Sequence, residues 1–239
     1  MASPETAWQN QILASLHGAG YQRLQPHLEL VSLALGEGLY EVGEPITHVY
    51  FPLDALISLI SLVDHAVTEF GLIGNEGLVG IPALLGGNST ISQAITQVAG
   101  NALRIEAHVL KTEFDRGEIL QRQLLLYVQL FLTQTAQNGA CQIHHPIVPR
   151  LARWLLSIHD RLHQEHLSLT QQYIADLLGT RRATITEAAG HLQQQGIIRY
   201  RRGEITILDR TALEQASCRC YGVLQREQAR LRAISQTLR

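Results

Sequence analysis

The chain has 239 residues, of which 46% are hydrophobic and 17% charged, with a formal net charge of −2. That length holds one or two domains with real cores, and the balance excludes both a disordered chain and a uniformly polybasic one. Three cysteines make no disulfide framework, no secretory leader opens the sequence, and no apolar run approaches a membrane span; a cytoplasmic protein with reduced thiols and no membrane contact is expected.

The near-neutral total hides a division. Residues 1–115 carry 12 acidic and 3 basic side chains, whereas residues 116–239 carry 9 acidic and 16 basic ones. A polyanionic partner would therefore belong to the second half.

In chain order, residues 1–28 predict a short amphipathic helical lead-in through Trp8, Ile12, Leu13 and Leu16. From about 30 to 106, short β-rich runs alternate with glycine and proline, which predicts a small antiparallel roll or jelly roll. A brief helix over 107–114 and a break at Gly117 follow. A long helix then runs from Glu118 to about Asn138, apolar over more of its circumference than one roll would cover. Part of it is expected to pack against a second copy of the chain, and Leu120, Leu124, Tyr127 and Phe131 are assigned to that interface. A polar hinge is read over Gly139–Pro146, then a supporting helix over Val148–Leu162. After Asp209 a last helix begins, and its polar tail from Arg226 onward is expected to fray.

Residues 169–207 carry the most information. Thr170 is placed to cap a helix, Leu169 and Ile174 are spaced as a hydrophobic staple, and Gly179 ends the helix. A second helix buries Ile185, Ala188 or Ala189, and Leu192, and stops at Gly196. Its other face presents Arg182, Ala183, Thr186, Glu187 and Gly190. Ile197 and Ile198 lead into Arg199-Tyr200-Arg201-Arg202-Gly203 and the alternating Glu204-Ile205-Thr206-Ile207, which is a strand, a tight basic turn and a return strand. This is the pattern of a winged helix-turn-helix, whose second helix enters a DNA major groove. Arg181, Arg182, Arg199, Arg201 and Arg202 would all face the duplex.

The order of roll, long helix, hinge and winged helix-turn-helix resembles the cyclic-AMP receptor protein and fumarate–nitrate regulator (CRP/FNR) superfamily of bacterial transcription factors. The resemblance runs from about residue 28 to 215. It implies an α+β fold in three parts: a cyclic-nucleotide-binding-like sensor roll over 1–115, a dimerisation helix and hinge over 116–143, and a winged helix-turn-helix domain with a tail over 144–239. It further implies a homodimer, double-stranded DNA and RNA polymerase as partners, and no enzymatic activity. Arg182 falls where the family places its base-reading arginine, able to fork onto guanine O6 and N7. Arg181 and Thr184 are assigned to phosphates at the helix N-terminus, Thr186 and Glu187 to the reading face, and Arg199, Arg201 and Arg202 to the backbone. Ala183 and Glu187 stand where cyclic-AMP receptors have Glu and Arg, so a different operator is expected.

The effector side departs from the resemblance. Cyclic-nucleotide binders of the family hold the ribose with a Gly-Glu-Leu glutamate and the phosphate with a downstream arginine. Here Gly80-Ile81 and Ser92-Gln93 occupy those places, with Ile81 for the glutamate and Ser92 for the arginine. A buried phosphate without its guanidinium loses about 3 kcal/mol or more, so cyclic AMP is not the expected effector. No cofactor and no metal are expected: the first cysteine is Cys141, far from an N-terminal cluster, and Cys218-x-Cys220 lacks a second ligand pair at zinc spacing. His48, His65, His144 and His145 are read as solvated. A metal-dependent cupin enzyme would need clustered histidines, which the roll lacks.

Overall fold

The computed structural model describes residues 4–16, 18–64, 66–162 and 166–237; His65 lies outside them. Residues 1–59, 71–133 and 227–239 form one compact unit, and residues 60–70 and 134–226 a second.

The first unit opens with α1 (Pro4–Ala7), α2 (Gln11–Ala14) and α3 (Ala19–Leu24). Asn10 ties this lead-in down. Its side chain caps α2 by accepting from the Ile12 and Leu13 amides, and its amide group donates to the Pro52 and Gly77 carbonyls at 3.0 and 2.9 Å. Every polar valence of this fully buried side chain is used, which is what makes its burial tolerable.

The strands are β1 (Glu29–Leu33), β2 (Gly38–Tyr40), β3 (His48–Pro52), β4 (Leu56–Val63) and β5 (Ala66–Ile73), then, after the short helix α4 (Ile81–Leu85), β6 (Ser92–Val98) and β7 (Gly100–Glu106). They make a three-stranded sheet ordered β1-β7-β3 and a four-stranded sheet ordered β2-β6-β4-β5. Both pairings of β7 are antiparallel. This is the expected roll. An aliphatic and aromatic core packs β3 and β7 against the helices of this unit, and includes Phe51, Leu78, Leu103, Ile105 and Leu110.

After α5 (Ala107–Phe114) comes α6 (Ile119–His144), a helix of 26 residues. Two expectations need correction here. First, residues 139–144 are helical, so the polar hinge is absent as far as His144. Gly139 meets no neighbour that would force a turn, and Asn138 is buried with its amide on the Phe70 carbonyl. Second, Leu120, Leu124 and Tyr127 are buried in the chain's own core, with the partly buried Phe131 packed against it, so their apolar character is accounted for within the chain and does not by itself call for a partner. The cause is two glycines. A Cβ at Gly77 would lie 2.3 Å from the Tyr127 ring, and one at Gly71 would lie 2.6 Å from Phe131. Those bare positions admit the two rings. The exposed large apolar residues of α6 are Leu125, Leu132 and Ile143, and the first two, 48% and 64% exposed, lie seven residues apart.

In the second unit, α7 (Ile147–Leu162) is strongly amphipathic and precedes β8 (His166–Ser168), α8 (Gln171–Leu177), α9 (Arg182–Gln194), β9 (Ile198–Arg201) and β10 (Glu204–Ile207). The three strands form a sheet ordered β8-β10-β9; the sequence reading missed β8. Then follow α10 (Arg210–Ala216) and α11 (Cys220–Thr237), where one helix was expected. The end of α11 does not fray within the described residues. Gln123 and Ser235 exchange hydrogen bonds, Gln129 donates to Glu227, and Leu231 is buried.

Candidate nucleic-acid interface

Three devices set the geometry of α8 and α9. The Thr170 hydroxyl accepts from the Tyr173 amide at 3.2 Å, capping α8. Gly179 takes φ +59°, a conformation that a residue with a Cβ adopts at a cost, and turns the chain into α9. Arg150, buried on α7, donates to the Leu178 carbonyl and so satisfies the C-terminal end of α8. Ile174, Leu177, Leu178, Ile185, Ala188, Ala189 and Leu192 are buried beneath these helices.

The wing is built as a two-residue hairpin. Arg201 pairs with Glu204, and the intervening Arg202 and Gly203 have φ +54° and +84°. Two positive φ values in a two-residue loop are the signature of a type I′ turn, which suits the natural twist of a hairpin. The Tyr200 amide donates to Gln193 Oε1 at 2.7 Å, joining β9 to α9, and the Tyr200 hydroxyl donates to the Leu169 carbonyl at 2.6 Å. Burial pushes the Tyr200 phenol up to about 12, opposed by the Arg182 charge. It stays neutral and donates.

Upon this frame Arg181, Arg182, Thr186, Glu187, Arg199, Arg201 and Arg202 are exposed, and Thr184 is half-buried. Arg182 and Arg202 line one recess of about 350 Å³ together with Thr170, Gln171, Tyr200 and Gly203. The start of α9 and the tip of the wing therefore share one concave, cationic surface. The Thr186 hydroxyl donates to Gln171 Oε1 at 2.7 Å and also lies 3.0 Å from the Arg182 carbonyl, so it braces α8 against α9 as well as lying on the exposed face.

The four residues read as an effector pocket are not brought together as one polar site. Gly80 has φ +111° and lies against β3, where a Cβ would sit 3.1 Å from Val49. Ile81 is buried in the apolar core. Ser92 and Gln93 are neighbours on a strand and so point to opposite faces. Ser92 is buried and bonds to the Thr90 hydroxyl at 2.9 Å, whereas Gln93 donates to Glu41.

Sequence reasoning missed one cluster in the second unit. Cys141, His145, Cys218 and Cys220 converge, although the sequence reading treated the histidine as solvated and found no second ligand pair for Cys218-x-Cys220. The Cys141 thiol is held well below its ordinary value by the Cys218 hydrogen bond and the Arg153 charge, and the same pairing pushes Cys218 up. Among the described residues no helix is long and apolar enough to cross a membrane.

Comparison with known proteins agrees with this geometry. Residues 149–216 match the family described as the Crp-like helix-turn-helix domain. The chain is 26% identical over 196 residues to a CRP-like cAMP-activated global transcriptional regulator of Mycobacterium tuberculosis, covering 78% of this chain and 87% of that one. In fold it is similar to FixK2 from Bradyrhizobium japonicum, with a TM-score of 0.69 at 18% identity over 80% of this chain and 98% of that chain. A protein from Eubacterium rectale described as a regulator of the crp/fnr family gives a TM-score of 0.69 at 16% identity, covering 87% and 98%. Residues 149–216 thus carry a Crp-like helix-turn-helix domain, and the chain as a whole is similar in sequence to a CRP-like regulator and in fold to proteins that include a crp/fnr-family regulator.

Proposed function

We propose that this chain is a homodimeric, sequence-specific DNA-binding regulator gated by an effector other than cyclic AMP. The observation that carries the reading is the single cationic face shared by α9 and the wing, on which Arg182 and Arg202 line one recess. Arg182 reads a guanine through a bidentate fork, while Arg181 and Thr184 and the wing residues Arg199, Arg201 and Arg202 hold phosphates. Glu187 lies on the reading face and accepts from a cytosine amino group. CRP/FNR regulators typically act as dimers, and the outward Leu125 and Leu132 of α6 supply an apolar seam for a second copy. The protein works in the cytoplasm, contacts RNA polymerase, and catalyses no reaction.

Ile81 in the core supports excluding cyclic AMP, because no carboxylate stands there to hold a ribose. The same observation favours a second reading, in which the roll binds no small ligand and the dimer is constitutive or gated by a partner. Selection of duplexes from a random pool by the full chain, with and without a metabolite panel, tests both. A two-fold symmetric consensus is expected, with half-sites about one helical turn apart. Equal binding of all duplexes would overturn the proposal, and an affinity that no metabolite changes would favour the second reading.

A further inference from the structure

Cys141 lies in the last turn of α6 and His145 follows four residues later, on the same side of the helix. Cys218 sits in the link between α10 and α11, and Cys220 begins α11. One sulfur or ring-nitrogen atom from each of the four comes within 4.8 Å of all the others. The Cys141 and Cys218 sulfurs are 3.4 Å apart, and Cys220 Sγ is 3.5 Å from His145 Nδ1. All three cysteines are buried, and they form a small cluster of their own.

We propose that Cys141, His145, Cys218 and Cys220 form a closed zinc site that locks the C-terminal end of α6 to the α10–α11 junction. Zinc bonds sulfur at about 2.3 Å, which puts the edges of its tetrahedron at roughly 3.7 Å. The Cys141–Cys218 and Cys220–His145 spacings lie close to those edges and the remaining ones are at most 4.8 Å, so side-chain adjustments of about an ångström would close the site. Three sulfurs and one imidazole are a soft donor set that selects zinc. Four protein ligands leave no position for water, so the site is structural. A multi-iron cluster would need its ligand sulfurs spread around a larger core.

Charge gives an independent argument. Zinc with three thiolates carries one net negative charge. Arg150 and Arg153 are both buried and lie close enough to these cysteines to interact electrostatically. Their hydrogen bonds go to neutral groups: Arg150 donates to the Leu178 carbonyl and Arg153 to Asn138 Oδ1 at 2.8 Å. The Nε atom of each lacks a partner among the described residues. Two buried guanidiniums with neutral partners call for a nearby anion, and a zinc–thiolate centre is one. Gln137 also donates to Cys220 Sγ at 3.0 Å, an outer hydrogen bond of the kind that orients a metal-bound thiolate. A disulfide between Cys141 and Cys218 would use two of the four residues and supply no charge.

The test is metal analysis of the full chain purified under reducing conditions without chelator. One zinc per chain is expected by mass spectrometry of the metal. Cys218→Ser and His145→Ala should each lower retained zinc at least tenfold after dialysis against a weak chelator. Cobalt(II) exchanged into the wild type should give the visible bands of a tetrahedral site with a sulfur charge-transfer absorption, which tests the site even if a variant fails to fold. Folded wild type that holds no zinc and gives no cobalt bands would overturn the proposal. So would iron with acid-labile sulfide, or a Cys141–Cys218 disulfide in its place.

Discussion

The Tyr127 ring lies over Gly77, so close that a Cβ there would sit 2.3 Å away, and its hydroxyl donates to the Leu78 carbonyl at 3.1 Å. The pair clamps α6 onto the roll. Gly77→Ala would either expel the ring or strain the turn, and overpacking of this kind costs about 1–3 kcal/mol. Urea unfolding of the full chain should show that loss; an unchanged midpoint would mean that the ring has room to move.

Leu125 and Leu132 make the opposite prediction. Both project from α6 into solvent, so Leu132→Glu should leave folding within about 0.5 kcal/mol of wild type. In a dimer built on that stripe, the same change buries a charge without a partner. Light scattering coupled to gel filtration should then find a monomer, and a persistent dimer would move the seam elsewhere.

The two groups of arginines should behave differently on DNA. Arg182→Ala is expected to cost about 1–3 kcal/mol on the selected operator and to relax one base position. Arg201→Ala with Arg202→Ala should weaken operator and random DNA alike and flatten the salt dependence by about 2 units of slope. Fluorescence anisotropy across a salt series separates them, and a wing effect confined to the operator would contradict the phosphate role.

Cyclic AMP or cyclic GMP at about 1 mM should not raise the melting temperature. Were either to bind the folded chain at a hundred times its dissociation constant, the gain would be about 2.7 kcal/mol. A rise of several degrees would therefore contradict the reading of Ile81 and Ser92.

The winged helix-turn-helix was legible because its signals are local. The Thr170 cap, Gly179, Gly196, and the buried Ile185 and Leu192 all act within a few residues of themselves. The roll was legible as a class for the same reason. What escaped depends on distant partners. Nothing near Tyr127 in sequence tells which side of α6 will meet bare glycines, since Gly71 and Gly77 are remote along the chain. Cys141 and Cys218 are 77 residues apart, and the spacing C-x3-H with C-x-C matches no familiar zinc signature. Asn10 gave no sign of reaching Pro52 and Gly77. The hinge was misread because a glycine and polar side chains suggest a loop, while a helix tolerates both when its buried neighbours are satisfied.

The wing tip sets folding against function at one residue. Arg202 holds a left-handed backbone that costs an ordinary side chain about 1–2 kcal/mol and glycine nothing. Replacing it by glycine should make the domain harder to melt and its grip on DNA weaker. A laboratory screen that rewards heat resistance alone would thus discard this arginine early, and the hardiest variants it returned would be poorer regulators.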